Sequence, residues 1–413
     1  MSDPAARHDS YAPFRLSGFR WYIGSLLTAT FGIQVQTLVV GWQVYEQTRD
    51  PLSLGLVGLA EALPFIGVAL YAGHVADRMD RRTLSLLSLA VLLACSAVLL
   101  VFSLRPEIIA GGRVWPIYAV IFASGIGRSF LQPARTALGA EVVPRELYAT
   151  SVAWRSSVWQ SAAVLGPAVG GFLYAVGGAV LAYSVDVALM AVALLTMARI
   201  RHAPMAREAA ASVAENLRVG LRFLRGQPVL LGALTLDMFA VLFGGAVALL
   251  PVFASEILHV GPQGLGLLRA APAVGAVAMS VFLAHRPPMR HAGRDLLVSV
   301  ALFGVCMIGF ALSRSFMLSL ALLALSGMVD NVSVVIRATL VTVLTPTNLL
   351  GRVSAVNSIF IGSSNEIGQF ESGVAARLMG TVPSVVFGGT MTLLVVALMA
   401  WRVPELRRLG RLQ

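Results

Sequence analysis

The chain has 413 residues, 57% of them hydrophobic and only 12% charged, and its net charge is +11. A soluble domain carries about 25% charged residues, so half that level leaves too little polar surface to cover a globule in water and excludes a soluble fold. The positive charge excludes nothing until it is located, because a nucleic-acid surface and a topological bias give the same sum. From the N-terminus onward, the apolar runs at 84–104, 117–127, 180–198, 229–253 and 385–400 set the pattern. Crossing hydrocarbon takes roughly 20 helical residues, and the 117–127 run reaches that length through weakly polar flanks. Twelve spans fit best, at 19–46, 52–76, 83–104, 114–135, 146–174, 179–199, 228–255, 263–285, 295–313, 316–344, 351–377 and 383–402. Without water in the bilayer core each backbone group must be bonded internally, so such runs are helices. The alternating ten-residue strands of a membrane barrel are not seen. Arg15 and Arg20 precede the first span, with no short apolar core and small-residue cleavage site after them, so that span itself serves for insertion.

All 31 basic residues are Arg. Of these, 22 fall in the two termini and the loops on their side, five in loops of the opposite side (Arg49, Arg105, Arg113, Arg314, Arg377) and four inside spans. This asymmetry is the positive-inside signature and puts both termini in the cytoplasm. It accounts for the charge without a nucleic-acid partner. Cys95 and Cys306 lie inside spans of opposite halves, which makes neither a disulfide framework nor a metal site.

The segment 199–227 interrupts the spans. Val213, Leu217, Leu221 and Leu224 recur there at helical spacing with Arg218, Arg222 and Arg225 between them, which suits a helix on the cytoplasmic membrane surface. A solvated linker is the alternative. On either side the sequence repeats itself at an offset of 202: Gly125 with Gly327, Arg135 with Arg337, Leu138 with Leu340, Pro144 with Pro346, Ser161 with Ser363, Gly166 with Gly368 and Gly171 with Gly373. Backbone-special residues at equivalent points imply the same helix path twice. The expected organisation is an N-terminal six-helix bundle over 1–200, a cytoplasmic linker over 201–227 and a C-terminal six-helix bundle over 228–413. Related bundles of this kind are a transporter architecture, and no ring of carbonyls or charges suggests a channel filter.

The loop between spans 2 and 3 reads Gly73-His74-Val75-Ala76-Asp77-Arg78-Met79-Asp80-Arg81-Arg82. It resembles motif A of the major facilitator superfamily at Gly73, Asp77, Arg78, Arg81 and Arg82, with Asp80 in place of the usual second Gly. Gly166-Pro167-Ala168-Val169-Gly170-Gly171 in span 5 resembles motif C, whose upstream glycines are absent here. The resemblance covers essentially the whole chain. The stretches 133–144, 350–353 and 364–373 look most like the drug:proton antiporter branch, which includes siderophore exporters and macrolide efflux proteins. It implies an all-α membrane protein of twelve transmembrane helices in two pseudo-symmetric six-helix bundles, the major facilitator fold. It also implies a monomer in a bacterial inner membrane that exports a bulky organic molecule against protons. Motif A would act as a cytoplasmic latch between the halves. Motif C would be a packing and hinge element, through small residues and a Pro that bends the helix.

Charges inside a membrane are costly and face a cavity or a partner. Arg128 in span 4 and Asp330 in span 10 occupy equivalent positions at the 202 offset. The resemblance lines the cavity with spans 1, 4, 7 and 10, so the two are expected to meet across it, or else each to pair inside its own half. Asp237 in span 7 and Glu366 in span 11 are candidate proton carriers, since burial disfavours a carboxylate's charged form. Glu371 follows Glu366 by five residues, about 140° around the helix, so at most one of them points at the cavity. Glu61, Arg155, Asp186 and Arg269 rank below these, and Asp186 is expected to be paired structurally. In span 1, Gln34 and Gln36 diverge by roughly 160°, so one faces the cavity; Gln34 is taken as the candidate. Trp42 reads as an aromatic-belt residue. All six His lie in loops, tails or span ends, against a His relay. With no His/Cys cluster, phosphate loop or triad context, neither an enzyme, a cofactor nor a metal is expected. The rival function on the same fold is a lipid or lysolipid flippase.

Overall fold

In a computed structural model of the chain, residues 9–201, 213–244, 246–286, 289, 291–347 and 349–410 are described, apart from the side chains at 69, 70, 74, 76, 77 and 213–216. The described residues form helices and no strand, as a backbone that must satisfy its own hydrogen bonds in lipid requires.

Helix α1 (Ser17–Thr48) ends at Arg49, which takes a left-handed φ of 50°. Asp50 then caps α2 (Pro51–Arg78), accepting from the Leu52 N–H at 3.1 Å, with Pro51 placed where no N–H is needed. Next come α3 (Arg81–Leu104) and α4 (Trp115–Glu141). Helix α5 (Tyr148–Ala198) is two spans in one, broken at Gly177 and Gly178; the φ of 62° at Gly178 needs glycine. After α6 (Val213–Arg225), α7 (Pro228–Phe243) stops at Gly244. The seventh passage, expected to be unbroken, continues as a 3-10 turn (Ala246–Leu249), the short α8 (Leu250–Val252) and a π-helical turn (Phe253–Ile257). Helices α9 (Gly261–Ala284), α10 (Ala292–Leu312), α11 (Phe316–Leu344), α12 (Leu350–Met379), α13 (Thr381–Arg402) and the short α14 (Pro404–Arg408) follow.

Among the described residues nine helical segments are long and apolar enough to cross a membrane, and a tenth if the bent pair Pro106–Gly112 and Trp115–Glu141 is one span. With α5 counted as two, and with α12, whose Glu366 and Glu371 dilute its apolar surface, the helix order keeps step with the twelve expected segments.

The helices pack in two sets. In the first, α1 packs on α5, α2 on α4, and α3 on α4 and α5; in the second, α11 packs on α9 and α10, α7 on α12 and α13, and α10 on α13. Two long contacts join the sets: α2 with α12, and α5 with α9. Small residues permit both. A Cβ on Gly55 would lie 3.0 Å from the Gly373 Cα, and one on Gly171 would lie 3.1 Å from the Gly266 Cα, so backbone meets backbone at each seam.

The apolar core is not evenly shared. At the end of the helices far from the chain termini, one cluster runs through both sets, from Val35, Trp42 and Tyr45 to Phe253, Leu265, Phe310 and Ala376. At the end near the termini, beside a small cluster at Leu84 and Ala134, the two large clusters are separate. One is built around Phe19, Tyr22, Leu138 and Met197 of the first set, and the other around Leu230, Leu296, Leu340 and Leu406 of the second. The two sets therefore share one apolar core at one end and have separate cores at the other.

Helix α6 forms where the Val/Leu spacing predicts it, but its apolar face is covered by protein. Leu224 is fully buried in the second set's core, and a Cβ on Gly220 would lie 2.8 Å from the Arg352 carbonyl oxygen. It packs on α12 and α7 and also touches α2 of the first set.

Candidate functional site

Halfway along the bundle, the first set holds a connected run of buried polar groups. Gln36 on α1 is 1% exposed. Its Nε2 donates to the Ser96 hydroxyl on α3 and to Asp186 Oδ2 on α5, each at 3.0 Å, while its Oε1 accepts from Arg128 Nη2 at 3.1 Å. Seven residues on, two turns further along the same faces, the arrangement repeats: Gln43 donates to Ser103 at 3.4 Å and accepts from the Tyr183 hydroxyl at 2.9 Å. Two polar rungs thus tie α1 to α3 and α5, at sites where an unpaired amide in hydrocarbon would cost several kcal/mol.

Arg128 on α4 also forms an ion pair with Glu61 on α2. This pair lies at the α2–α12 seam, and two charges of the second set join it. Arg269 on α9 is within electrostatic reach of Glu61, Glu366 and Arg128, and Glu366 on α12 is within reach of Glu61, Arg128 and Arg269. Gln369 Nε2 steadies Glu366 at 3.1 Å. Two guanidiniums and two carboxylates, one of each from either set, therefore lie within electrostatic reach of one another where the sets touch.

The expected meeting of Arg128 with Asp330 does not occur in this conformation. The sets touch along α2–α12 and α5–α9, which leaves equivalent positions on α4 and α11 apart, and Arg128 reaches Glu61 instead. Asp330 lines a cavity of about 240 Å³ inside the second set, together with Asp237, Val241, Phe303, Met307, Asn365 and Gln369. Gly244 and Val247, at the break after α7, line it too, so the broken helix opens part of the cavity. Asp237 is paired with Arg337, both nearly buried, and Arg337 is also the cationic neighbour of Asp330.

The other sequence candidates are placed as follows. Gln34 packs on motif C: a Cβ on Gly166 would sit 2.5 Å from the Gln34 Cβ. Gln36, passed over for Gln34, is the glutamine that enters the polar network. Glu371 stands outside the seam cluster, beside Ser372. In motif C, Gly166 and Gly170 bring α5 onto Gln34 and Val35 of α1, while Pro167 and Gly171 contact Gly266 of α9 in the other set. Trp42 is 8% exposed and stacks edge-on against Tyr174, so it is a core residue rather than a belt residue.

In motif A the Asp77 side chain lies outside the described residues, and Gly73 has open space around it. Arg78 is exposed. Arg81 forms a 2.7 Å ion pair with Glu141 at the end of α4. Arg82 donates to the Ala198 carbonyl at the end of α5, a place where the helix dipole favours a cation. Asp80, the departure from the family pattern, caps α3 by accepting from the Thr83 N–H and hydroxyl, both at 2.7 Å. No group of three metal-ligating side chains that could hold an ion occurs among the described residues.

Glu61, Arg269 and Asp186 are underweighted by sequence reasoning because each is one charge on a different helix. Only the packing of α2, α9 and α5 turns them into neighbours of Arg128. The signal that could have found Gln36 is its pairing with Gln43 at a spacing of seven.

Comparison with known proteins fits this geometry. The family model described as "Transmembrane secretion effector" matches residues 8–410. The enterobactin exporter EntS of Shigella flexneri is 27% identical over 370 residues, covering 89% of this chain and 87% of that one. Macrolide efflux protein A of Streptococcus pyogenes is 22% identical over 415 residues, covering 97% and 99%. Among solved structures, a bacterial homolog of the human lysosomal transporter Spinster, inward-facing and occupied, superposes with a TM-score of 0.71 at 14% identity, covering 98% of this chain and 99% of that one. A POT family transporter in complex with 5-aminolevulinic acid gives 0.75 at 10% identity, covering 95% and 97%. The chain is a membrane transporter, not an enzyme, and it belongs to the transmembrane secretion effector family of the major facilitator superfamily.

Proposed function

We propose that this protein is a proton-coupled exporter of a bulky organic small molecule, of siderophore or drug-like size, working by alternating access in a bacterial inner membrane. The two bundles are 1–200 and 228–413, linked by 201–227, with both termini in the cytoplasm, and the chain acts as a monomer. The observation that carries the reading is the split core: one apolar cluster joins the sets at the far end, and two large separate clusters hold them near the termini. With the termini inside, that is a transporter closed outward and open inward, ready to take its cargo from the cytoplasm.

Rocking about the seam charges then exposes the site to one side at a time. Substrate sites favour broken helices at the repeat interface. The cavity beside the α7 break, with Phe303 and Met307 for apolar bulk and Asp330, Asn365 and Gln369 for polar contacts, suits one part of an amphipathic molecule. The names of the exporters it resembles support the size and direction of the cargo.

The test uses purified protein in liposomes, following internal pH while siderophores, macrolides and dyes are added. Substrate-dependent proton movement that Glu366→Gln abolishes supports the reading. No proton movement with any compound, together with scrambling of a labelled lysolipid, replaces it with a flippase.

A further inference from the structure

Asp186 is fully buried, lies outside the cavity, and is not ion-paired to any arginine side chain. Its Oδ2 accepts from Gln36 at 3.0 Å, and the same Gln36 amide donates to the Ser96 hydroxyl at 3.0 Å, which places Ser96 beside it. Its Oδ1 has no hydrogen-bond partner. Space around that oxygen is tight: a Cβ on Gly32 of α1 would come within 2.9 Å of it. The groups that face Asp186 are Gln36 from α1, Ser96 from α3, Arg128 from α4 and, on its own helix, Tyr183, whose hydroxyl is committed to Gln43. The one charged group among these is Arg128, which already forms an ion pair with Glu61 and reaches Asp186 only through the Gln36 amide.

The charges do not balance. Around this spot Arg128 and Arg269 serve three carboxylates, Glu61, Glu366 and Asp186. In a low-dielectric interior one carboxyl of such a group holds a proton, because an unpaired charge there is the costliest arrangement. Glu61 is ion-paired with Arg128, and Glu366 has the Gln369 amide on one oxygen with both guanidiniums within electrostatic reach. Asp186 has the Gln36 amide on one oxygen and nothing on the other, so its charged form is the poorly compensated one.

We propose that Asp186 is a proton-binding carboxyl, linked through Gln36 to the Arg128–Glu61 pair, so that its protonation state reports to the seam between the two bundles. With the proton on Oδ1, Asp186 is neutral and Arg128 belongs wholly to Glu61. When the proton leaves, Asp186 becomes a carboxylate and Arg128 has two anions to serve, one directly and one through Gln36. Its hold on Glu61 weakens, and Glu61 turns to Arg269 on the opposite bundle. The proton is exchanged with water when the tight packing around Oδ1 opens during the transport cycle. This rests on the proton-coupled reading above, and the test keeps the two apart.

Infrared difference spectra of the protein in lipid, titrated across pH without substrate, read the protonated C=O stretch of a buried acid directly. The expected result is an aspartic carboxyl band, identified by its shift in protein grown on carboxyl-labelled aspartate. It should titrate with pH, move in Gln36→Leu and in Ser96→Ala, vanish in Asp186→Asn, and remain in Asp237→Asn and Asp330→Asn. In liposomes, Asp186→Asn should keep substrate exchange while losing at least tenfold of its pH-driven uptake. A band unmoved by Gln36→Leu and Ser96→Ala, or wild-type pH dependence in Asp186→Asn, overturns the assignment. If Asp186→Asn does not fold, the label and the two neighbour variants still decide it. A titrating Asp186 in a protein that moves no protons with any substrate would retain the site and remove the antiport reading.

Discussion

The backbones of Gly55 on α2 and Gly373 on α12 touch across the two bundles: a Cβ on Gly373 would lie 2.6 Å from the Gly55 Cα. The two glycines sit on the outer-end side of the seam, which the shared core also closes.

A side chain at either glycine therefore wedges the outer seam while leaving each bundle's own core intact. Overpacking of this kind costs about 1–3 kcal/mol, here borne by the observed state alone, which shifts the balance of states roughly 5- to 150-fold. Gly373→Val should populate the outward-open form. Spin-label distances between the outer ends of α2 and α12 should lengthen, and those between their inner ends should shorten. Unchanged distances would mean that the seam yields at no cost.

The network around Arg128 predicts which residues act together. Arg128→Ala and Glu61→Gln remove the same ion pair, so the double variant should lose little more activity than the worse single one. Arg128→Ala and Asp330→Asn touch different sites, and their losses should add within about 0.5 kcal/mol. Transport rates of the three single and two double variants in one liposome assay decide the matter. Strong coupling of Arg128 to Asp330 would indicate that they meet in the opposite conformation.

The buried Asp237–Arg337 pair predicts a stability effect rather than a transport effect. Removing one partner leaves a buried charge uncompensated, at about 3–5 kcal/mol. Asp237→Asn should lower the thermal midpoint in detergent markedly, and Asp237→Asn with Arg337→Met should recover most of the loss. A single variant as stable as wild type would show that water reaches Arg337.

These residues also mark how far sequence carries. Apolar run length gave the spans because it is local and the bilayer enforces it: the tenth span, expected at 316–344, is α11 to the residue. The repeat at 202 gave the paired halves. What it did not give was which equivalent residues face one another. Arg128 and Asp330 would meet only if both faced the axis in a state that closes on them, and a sequence holds every state of a transporter at once. The break at Gly244 was hidden by an unbroken apolar run, since glycine in a membrane helix is as common at packing sites as at breaks. Gln34 was preferred to Gln36 because helical periodicity shows that two residues diverge but not which of them has a partner waiting.

The outer gate offers a last prediction, in which two similar contacts should behave differently. Tyr45, 2% exposed, donates its hydroxyl to Glu256 beyond the α7 break, while Arg377 on α12 pairs with Asp50 with side chains 56% and 32% exposed. Both join the bundles at the same end. An exposed ion pair is worth about 0–1 kcal/mol and is screened by salt, whereas a hydrogen bond to a charged group from a buried donor is worth about 1.5–3 kcal/mol, less here because Glu256 itself is exposed. Tyr45→Phe should therefore open the outer end more than Arg377→Ala does, and its effect should survive high salt while that of Arg377→Ala fades. Labelling of a cysteine placed inside the outer seam, compared at low and high salt, reads both. Equal, salt-sensitive effects would mean that the gate is closed by surface electrostatics and that the buried tyrosine contributes only its ring.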